Sequence, residues 1–295
     1  MSYYNKLVKE LSAVNTFDSR LATMINPFSP YYLCHHFYID GNPLHNPGMM
    51  GKAMILPNTD LSFIKEYDII NVEVNFFESF VKNVLDKLNK RIILITGQFC
   101  YPQLVKSDLT DKVLHHKNIL LWVSQNPIYE NSEKYMAFPY GIKHQHLEPY
   151  SKMLVSNSKL KTKEIVHLPL DNNTHACRLK LPVVDKVDIN EFYRQIAEAK
   201  FILSPIGDRD DCFRHYEAIG LGAIPISNVN TFYRNIFGSN MHYTDIDDMV
   251  NILEKNTIDY EYSEPNRDLI CFAYYRDLVL SKINSIKARI SLEEA

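Results

Sequence analysis

The chain has 295 residues, 46% of them hydrophobic, and a formal net charge of −3 from 32 basic and 35 acidic side chains. That apolar content suffices for two domains with their own cores, while the near-neutral balance, without a basic cluster, excludes the electrostatic footprint of a nucleic-acid binder. The five cysteines, Cys34, Cys100, Cys177, Cys212 and Cys271, are scattered and form no C-x-x-C pair, which excludes a zinc ribbon or dithiol site and fits reduced thiols in a cytosol.

The opening MSYYNKLVKELSAV lacks an apolar stretch long enough for a signal peptide, and the longest apolar runs, 92–95 and 119–123, are of strand length. The expectation is a protein without a membrane span, located in the cytoplasm. Residues 31–39 have the aromatic content of a strand and run into a Gly41-Asn42-Pro43 turn. Residues 68–72 (DIINV) follow as a short apolar strand. Apolar positions at 76, 77, 80, 81, 84, 85 and 88 have the spacing of a helix with one buried face. RIILITG at 91–97 and the run 119–123 are continuous enough to be central parallel strands covered on both sides. In the second half the expected order is strand 164–168, helix 189–199, strand 201–204, helix 213–221 and strand 223–227. An edge strand at 242–245, a helix at 246–254 and a long amphipathic helix at 268–290 complete it. This alternation predicts an α/β fold, with ligands beyond the carboxyl ends of the strands, after Val72, Thr96 and Val123 in the first half.

The segment 201–226, FILSPIGDRDDCFRHYEAIGLGAIPI, sets a strand, an acidic loop with one glycine and a helix in immediate succession. Pro205 lacks the N–H a further ladder step needs, so the strand stops at Ser204. Asp211 is a candidate N-cap, which would leave the positive end of the helix dipole facing the strand end, a setting for a diphosphate. Arg214 and Glu217 lie three residues apart and so on one helix face. A guanidinium there can fork onto phosphate oxygens and the carboxylate can accept both hydroxyls of a ribose. A surface Arg–Glu pair is the plain alternative. Asp208-Arg209-Asp210 also matches a D-x-D metal signature, so a magnesium- or manganese-dependent transferase is a rival reading.

Ser204, Pro205, Gly207, Asp211, Arg214, Glu217, Ala218, Gly222, Ile224 and Pro225 together resemble the signature SP-x-G-x-x-x-D-x-x-R-x-x-EA-x-x-x-G-x-IP of exostosin-like glycosyltransferases. Asn173, Thr174 and Arg178 in NNTHACR are similar to that family's upstream segment, and FPYGI at 138–142 to its Pro-x-Gly handover between domains. The resemblance covers residues 138–230; earlier only the strand pattern and Gln125-Asn126-Pro127 share it. It implies a GT-B fold of two facing Rossmann-like domains: 1–145 on the acceptor side, 146–268 binding the nucleotide sugar, and a C-terminal helix, 269–295, crossing back to the first. It further implies inverting transfer from a nucleoside diphosphate sugar, UDP by default, with no cofactor and no metal required. Members with membrane anchors are known in the family, so a chain without one would be a soluble bacterial or viral member, in the host cytoplasm if viral, or a trimmed form of an anchored member.

The resemblance assigns the donor to Thr174, Arg178, Ser204, Pro205, Gly207, Asp211, Arg214 and Glu217. Arg178 and Arg214 would meet the diphosphate, Gly207 would allow close backbone approach, Thr174 would add a hydroxyl and Glu217 would hold the ribose. Inversion needs a general base for the acceptor hydroxyl. Glu73, directly after the 68–72 strand, is the first candidate; His36 and Asp40 are alternatives, with His35 and His45 behind them. Trp122, Gln125 and Asn126 are candidates for contact with a glycan or glycoprotein acceptor, although core packing explains Trp122 equally well. Gly97 and Gln98 are minor candidates for the same floor. Xylose leads galactose, glucuronic acid and N-acetylglucosamine as the transferred sugar. A glycan-binding protein without activity on the same fold is the third reading.

Overall fold

The computed structural model describes residues 1–13, 16–42, 51–97, 103–156 and 160–294; His45 and Gln98 lie outside them. The chain divides into two compact units. One joins residues 27–138 to 275–295, and the other joins 1–26 to 139–274.

Two helices, α1 (Tyr3–Ala13) and α2 (Phe17–Thr23), come first and belong to the second unit. The expected division at 145/146 does not contain this placement. Within the second unit the Tyr4 N–H donates to Asp268 Oδ1 at 2.7 Å, and the Ile25 N–H to the Ile270 carbonyl at 2.9 Å. The first unit then runs α3 (Ser29–Leu33), β1 (His36–Tyr38), β2 (Ala53–Ile55), β3 (Ile69–Glu73), α4 (Phe77–Asn83), β4 (Ile92–Gly97), α5 (Asp108–His115), β5 (Ile119–Ser124) and β6 (Tyr135–Ala137).

The six strands form one sheet in the order β2-β1-β3-β4-β5-β6, every pair parallel. β3 and β4 are buried along their whole length, as their unbroken apolar runs require of strands covered on both faces. Strand order reverses between β1 and β3, the switch point at which open parallel sheets leave a crevice outside the strand ends. The expected strand at 31–39 is shorter than read. Pro30 in the first turn starts α3 instead, and only His36–Tyr38 pairs with β3. The expected helix at 76–88 is also broken, with 3₁₀ turns at Val74–Phe76 and Leu85–Lys87 on either side of α4.

The second unit continues with α6 (Leu147–Ser156), β7 (Lys163–Val166), α7 (Ile189–Glu198), β8 (Ala199–Leu203), α8 (Phe213–Gly220), β9 (Ile224–Ser227), α9 (Arg234–Phe237), β10 (His242–Tyr243) and α10 (Ile246–Lys255). Its sheet has the order β10-β9-β8-β7, again parallel throughout. Phe201 and Leu203 of β8 share a face with Ile224 and Ile226 of β9, and Met249 of α10 closes on them. Each such side chain contributes about 1.5–3 kcal/mol by leaving water.

The last helix, α11 (Phe272–Glu293), buries Tyr275, Val279, Ile283, Ile286 and Ile290, one stripe at helical spacing. From residue 275 onward it belongs to the first unit, where Lys282 donates to the Ser132 carbonyl and Arg289 pairs with Glu133. Each unit is built on a parallel sheet with helices between its strands, and the terminal helix returns to the first unit, so the fold is of the expected α/β class. Among the described residues no helix is long and apolar enough to cross a membrane.

Gly141 of FPYGI has φ +90°, and a Cβ there would lie 2.4 Å from the carbonyl carbon and oxygen of Ile25. This is the point where residues 139–142 lie against the segment after α2, with the Ile142 N–H donating to the Ile25 carbonyl at 2.8 Å. Gly141→Ala is expected to lower stability by about 2–3 kcal/mol from backbone strain and overlap. Urea denaturation of the two proteins measures it.

Candidate active site

A cavity of about 420 Å³ opens in the second unit at the carboxyl ends of β7 and β8. Four stretches wall it: Tyr140, Lys143 and His146 before α6; Leu170 to Arg178 after β7; Val187, Ile189 and Phe192 at α7; and Ser204 to Glu217 across the β8–α8 loop. These are the positions at which a parallel sheet presents its loops to a ligand.

The loop is held by Arg178, which lies in a 3₁₀ turn at Ala176–Lys180. Its Nε–H donates to the Ile206 carbonyl at 2.8 Å, Nη2 to the Pro205 carbonyl at 3.1 Å and Nη1 to the Asp171 carbonyl at 3.2 Å. A Cβ on Gly207 would come within 2.6 Å of Nη2, so the glycine makes room for the guanidinium. Gly207 itself is not among the residues that wall the cavity. Thr174 does border it, with its hydroxyl donating to the Asp171 carbonyl at 2.7 Å.

The N-cap of α8 is Cys212, one residue beyond the expected Asp211. Asp211 is buried and accepts instead from the Tyr140 N–H at 2.9 Å and the Tyr216 hydroxyl at 2.7 Å. Its other oxygen, Oδ1, has no hydrogen-bond partner and faces His215 Nδ1 at 3.6 Å. Ser204 Oγ is likewise buried without a partner at the cavity wall. Buried polar atoms left unpaired are uncommon and mark positions where a ligand or water completes the bonding.

Arg214 is half-buried and donates to the Leu168 and Pro169 carbonyls, with its guanidinium 5.3 Å from the centre of the Phe192 ring. Desolvation brings this guanidinium down to about 10, opposed by Glu217 and helped by Arg178, so it is a cation at neutral pH. Glu217 is buried one helical turn on and accepts from the Tyr193 hydroxyl at 2.9 Å. Burial raises its carboxyl above the ordinary range, against the lowering effects of Tyr193, Arg214 and Lys143.

Among the residues that sequence reasoning missed are two of the wall, Tyr140 and His146, and one behind it, Tyr193. Tyr140 stacks on Phe213 at 4.9 Å and carries the Arg209 guanidinium 4.4 Å above its ring. Tyr193 is the partner of Glu217, and His146 is driven down to about 4 by burial and the Lys143 charge. Burial stripes on α7 are visible in the sequence, but none of its signals ties Tyr193 to a carboxylate two elements away. Of the D-x-D pair, Asp208 borders the cavity and Asp210 does not; burial and then Asp211 raise the Asp210 carboxyl. Among the described residues no cluster of three or more His, Cys, Asp or Glu is arranged to hold a metal.

In the first unit, Glu73 ends β3 at the switch point, buried, and accepts from the Tyr31 hydroxyl at 2.5 Å. Asp40 follows β1 on the same side of the switch point and is bonded by Ser79 Oγ, which also meets the Tyr38 hydroxyl. His36 lies at the opposite, amino end of the sheet, its Nε2 2.7 Å from Asp68 Oδ2. His35 shares that carboxylate at 3.6 Å. The two histidines are therefore not gathered with Glu73. Asn71, on the same face as Glu73, is buried with neither amide atom hydrogen-bonded. Trp122 is a core residue and offers no face to an acceptor: it is fully buried, stacked on Phe77 at 5.5 Å, with its indole N–H on Thr96 Oγ1 at 3.0 Å. Gln125 and Asn126 are buried at the end of β5, their N–H groups on the Thr96 carbonyl and Ser124 Oγ.

No family model and no curated protein matches the sequence. Among solved structures, the chain is similar to an alpha1,3-fucosyltransferase at 9% identity and a TM-score of 0.39, over 85% of this chain and 89% of that one. It is also similar to a chain of the GtfA/B complex at 11% identity and a TM-score of 0.33, over 78% of this chain and 58% of that one. Likenesses this distant do not bear on substrate or mechanism.

Because the folded-state pKa of Glu217 is raised, the native protein holds this proton more tightly than the unfolded chain. Its contribution to stability is full below the ordinary value of 4.5 and is lost as pH rises through the raised one. Glu217→Gln, which fixes the neutral shape, is expected to melt higher than the native protein at neutral pH. The gap should close as pH falls below about 4, which melting curves across pH 3–8 will read directly.

Proposed function

We propose that this chain is an inverting glycosyltransferase of the exostosin-like type, acting in the cytoplasm. It takes the sugar of a uridine diphosphate donor, xylose being the first candidate, and joins it to a hydroxyl of a glycan or glycoprotein acceptor. No metal or cofactor is required. The observation that carries the reading is the cavity at the ends of β7 and β8, whose wall holds Arg178, Arg209, Arg214 and Lys143 together with unpaired Ser204 Oγ and buried Glu217. Guanidinium and ammonium groups suit phosphate oxygens, and a buried carboxylate suits a pair of ribose hydroxyls. The apolar wall of Leu170, Val187, Ile189 and Phe192 suits a nucleobase. The ten residues that resemble the exostosin signature fall in and around this same loop and helix, which supports the family reading.

In the transfer, the acceptor oxygen forms the new bond to the anomeric carbon as its proton passes to the base, for which Glu73 is the candidate. The bond from that carbon to the diphosphate breaks, and its electron pair leaves with the phosphate oxygen. Cations along the cavity stabilise the charge that develops there. Arg178→Ala is expected to have two effects, since its guanidinium also braces the loop: lower stability and weaker donor binding. Arg214→Ala removes charge-assisted bonds worth about 1.5–3 kcal/mol.

Isothermal titration with uridine diphosphate in chelator tests the donor reading. The native protein should bind, Arg214→Ala at least roughly tenfold more weakly, and absence of binding by the native protein would overturn the proposal. Binding that appears only when magnesium or manganese is restored would favour the Asp208 metal reading instead. For the base, Glu73→Gln should retain uridine diphosphate binding while kcat for transfer falls by about 10²–10⁴. Unchanged turnover would remove Glu73 from the mechanism.

A further inference from the structure

We infer that Lys143 is a diphosphate-binding residue of the donor cavity, contacting an anionic oxygen of the bound nucleotide; the inference rests on the donor reading above. Four cationic side chains wall the cavity, and three are engaged by the protein itself. Arg178 is spread over the carbonyls of Asp171, Pro205 and Ile206, and Arg214 over those of Leu168 and Pro169. Arg209 lies on the Tyr140 ring and pairs with Asp208 at 3.4 Å. Their charge reaches the cavity, but much of their donor capacity is already used in holding its shape. Lys143 is different. Its ammonium has no ion pair and no hydrogen bond among the described residues.

The backbone that carries Lys143 is fixed. Gly141 is pressed against Ile25, and the Ile142 N–H donates to the Ile25 carbonyl at 2.8 Å. A long flexible cation thus extends from a rigid base into a cavity whose neighbouring imidazole, His146, is neutral at physiological pH. The carboxylate that feels its charge, Glu217, is already bonded to Tyr193. Lys143 itself is half-buried, and its ammonium has no partner among the described residues. An anion entering the cavity supplies one, and a compact, mobile ammonium can follow phosphate oxygens as charge shifts to the leaving group.

Titration of native protein, Lys143→Met and Lys143→Arg with uridine diphosphate and with uridine tests this. Lys143→Met should bind uridine diphosphate roughly tenfold more weakly, with uridine affinity and the ligand-free melting point unchanged. The salt dependence of uridine diphosphate binding should flatten in Lys143→Met, and Lys143→Arg should recover most of the affinity. Equal uridine diphosphate binding by Lys143→Met and native protein would overturn the inference while leaving the donor reading intact. Equal losses for both ligands would also overturn it, since the lysine would then act on the shape of the cavity. Should native protein bind neither ligand, the donor reading fails, and this assignment fails with it. A loss confined to a uronic-acid nucleotide sugar, with uridine diphosphate unaffected, would move Lys143 from the diphosphate to the sugar and refute the assignment as stated.

Discussion

One buried guanidinium organises the second unit. Arg178 reaches from a short turn after β7 to the carbonyls of Pro205 and Ile206 after β8 and ties the loop at both of those residues. Hydrogen bonds to a charged group contribute about 1.5–3 kcal/mol each when buried, enough to fix one conformation of a short segment. Everything downstream inherits that conformation: the unpaired Ser204 hydroxyl, the Arg209 layer on Tyr140 and the amino end of α8. Gly207 exists in this loop because any larger residue would collide with the same guanidinium. A residue read from the sequence as a phosphate ligand is, in the structure, the clamp that shapes the loop after β8.

The second constraint is electrostatic. Enclosing several cations in one cavity is unfavourable unless something opposes their repulsion, and the opposing groups here are backbone carbonyls, Asp208 and Glu217. Arg214 shows the tension, brought down to about 10 by desolvation while Glu217 is raised. An anion in the cavity would return the Arg214 guanidinium toward its ordinary value, because an opposite charge favours the charged form. Strain of this kind is typical of sites that are complete only with a ligand.

Much of this was legible in the sequence, and the failures have physical causes. The β8–α8 unit was read nearly to the residue because Pro205 stops the strand and Arg214 and Glu217 declare one helix face. The cap was misplaced by one position because Asp211 and Cys212 are adjacent, and the aspartate is drawn away by Tyr140 and Tyr216, contacts no local pattern encodes. Trp122 could be read as an exposed ring or a core ring, and its stack on Phe77 decides for the core. Residues 31–39 have β-forming side chains, yet Pro30 and packing against β3 and β4 make their first part a helix. Lys143 carried no signal of its own, because an isolated lysine just past the FPYGI segment looks like any solvated surface residue.

The way the chain is shared between units has a consequence for its synthesis. Residues 1–26 complete a unit whose remaining parts are translated only after residue 138, and residues 275–295 complete a unit begun at residue 27. Domains usually fold in order as they leave the ribosome, but here the first unit lacks most of α11 until residues 275–295 emerge. Its exposed apolar surface must therefore wait, partly formed, through the production of the whole second unit. Fragments cut at residue 138 or 139 would each lack an integral helix, so halves expressed separately would be aggregation-prone and would regain order only when supplied with their missing segment.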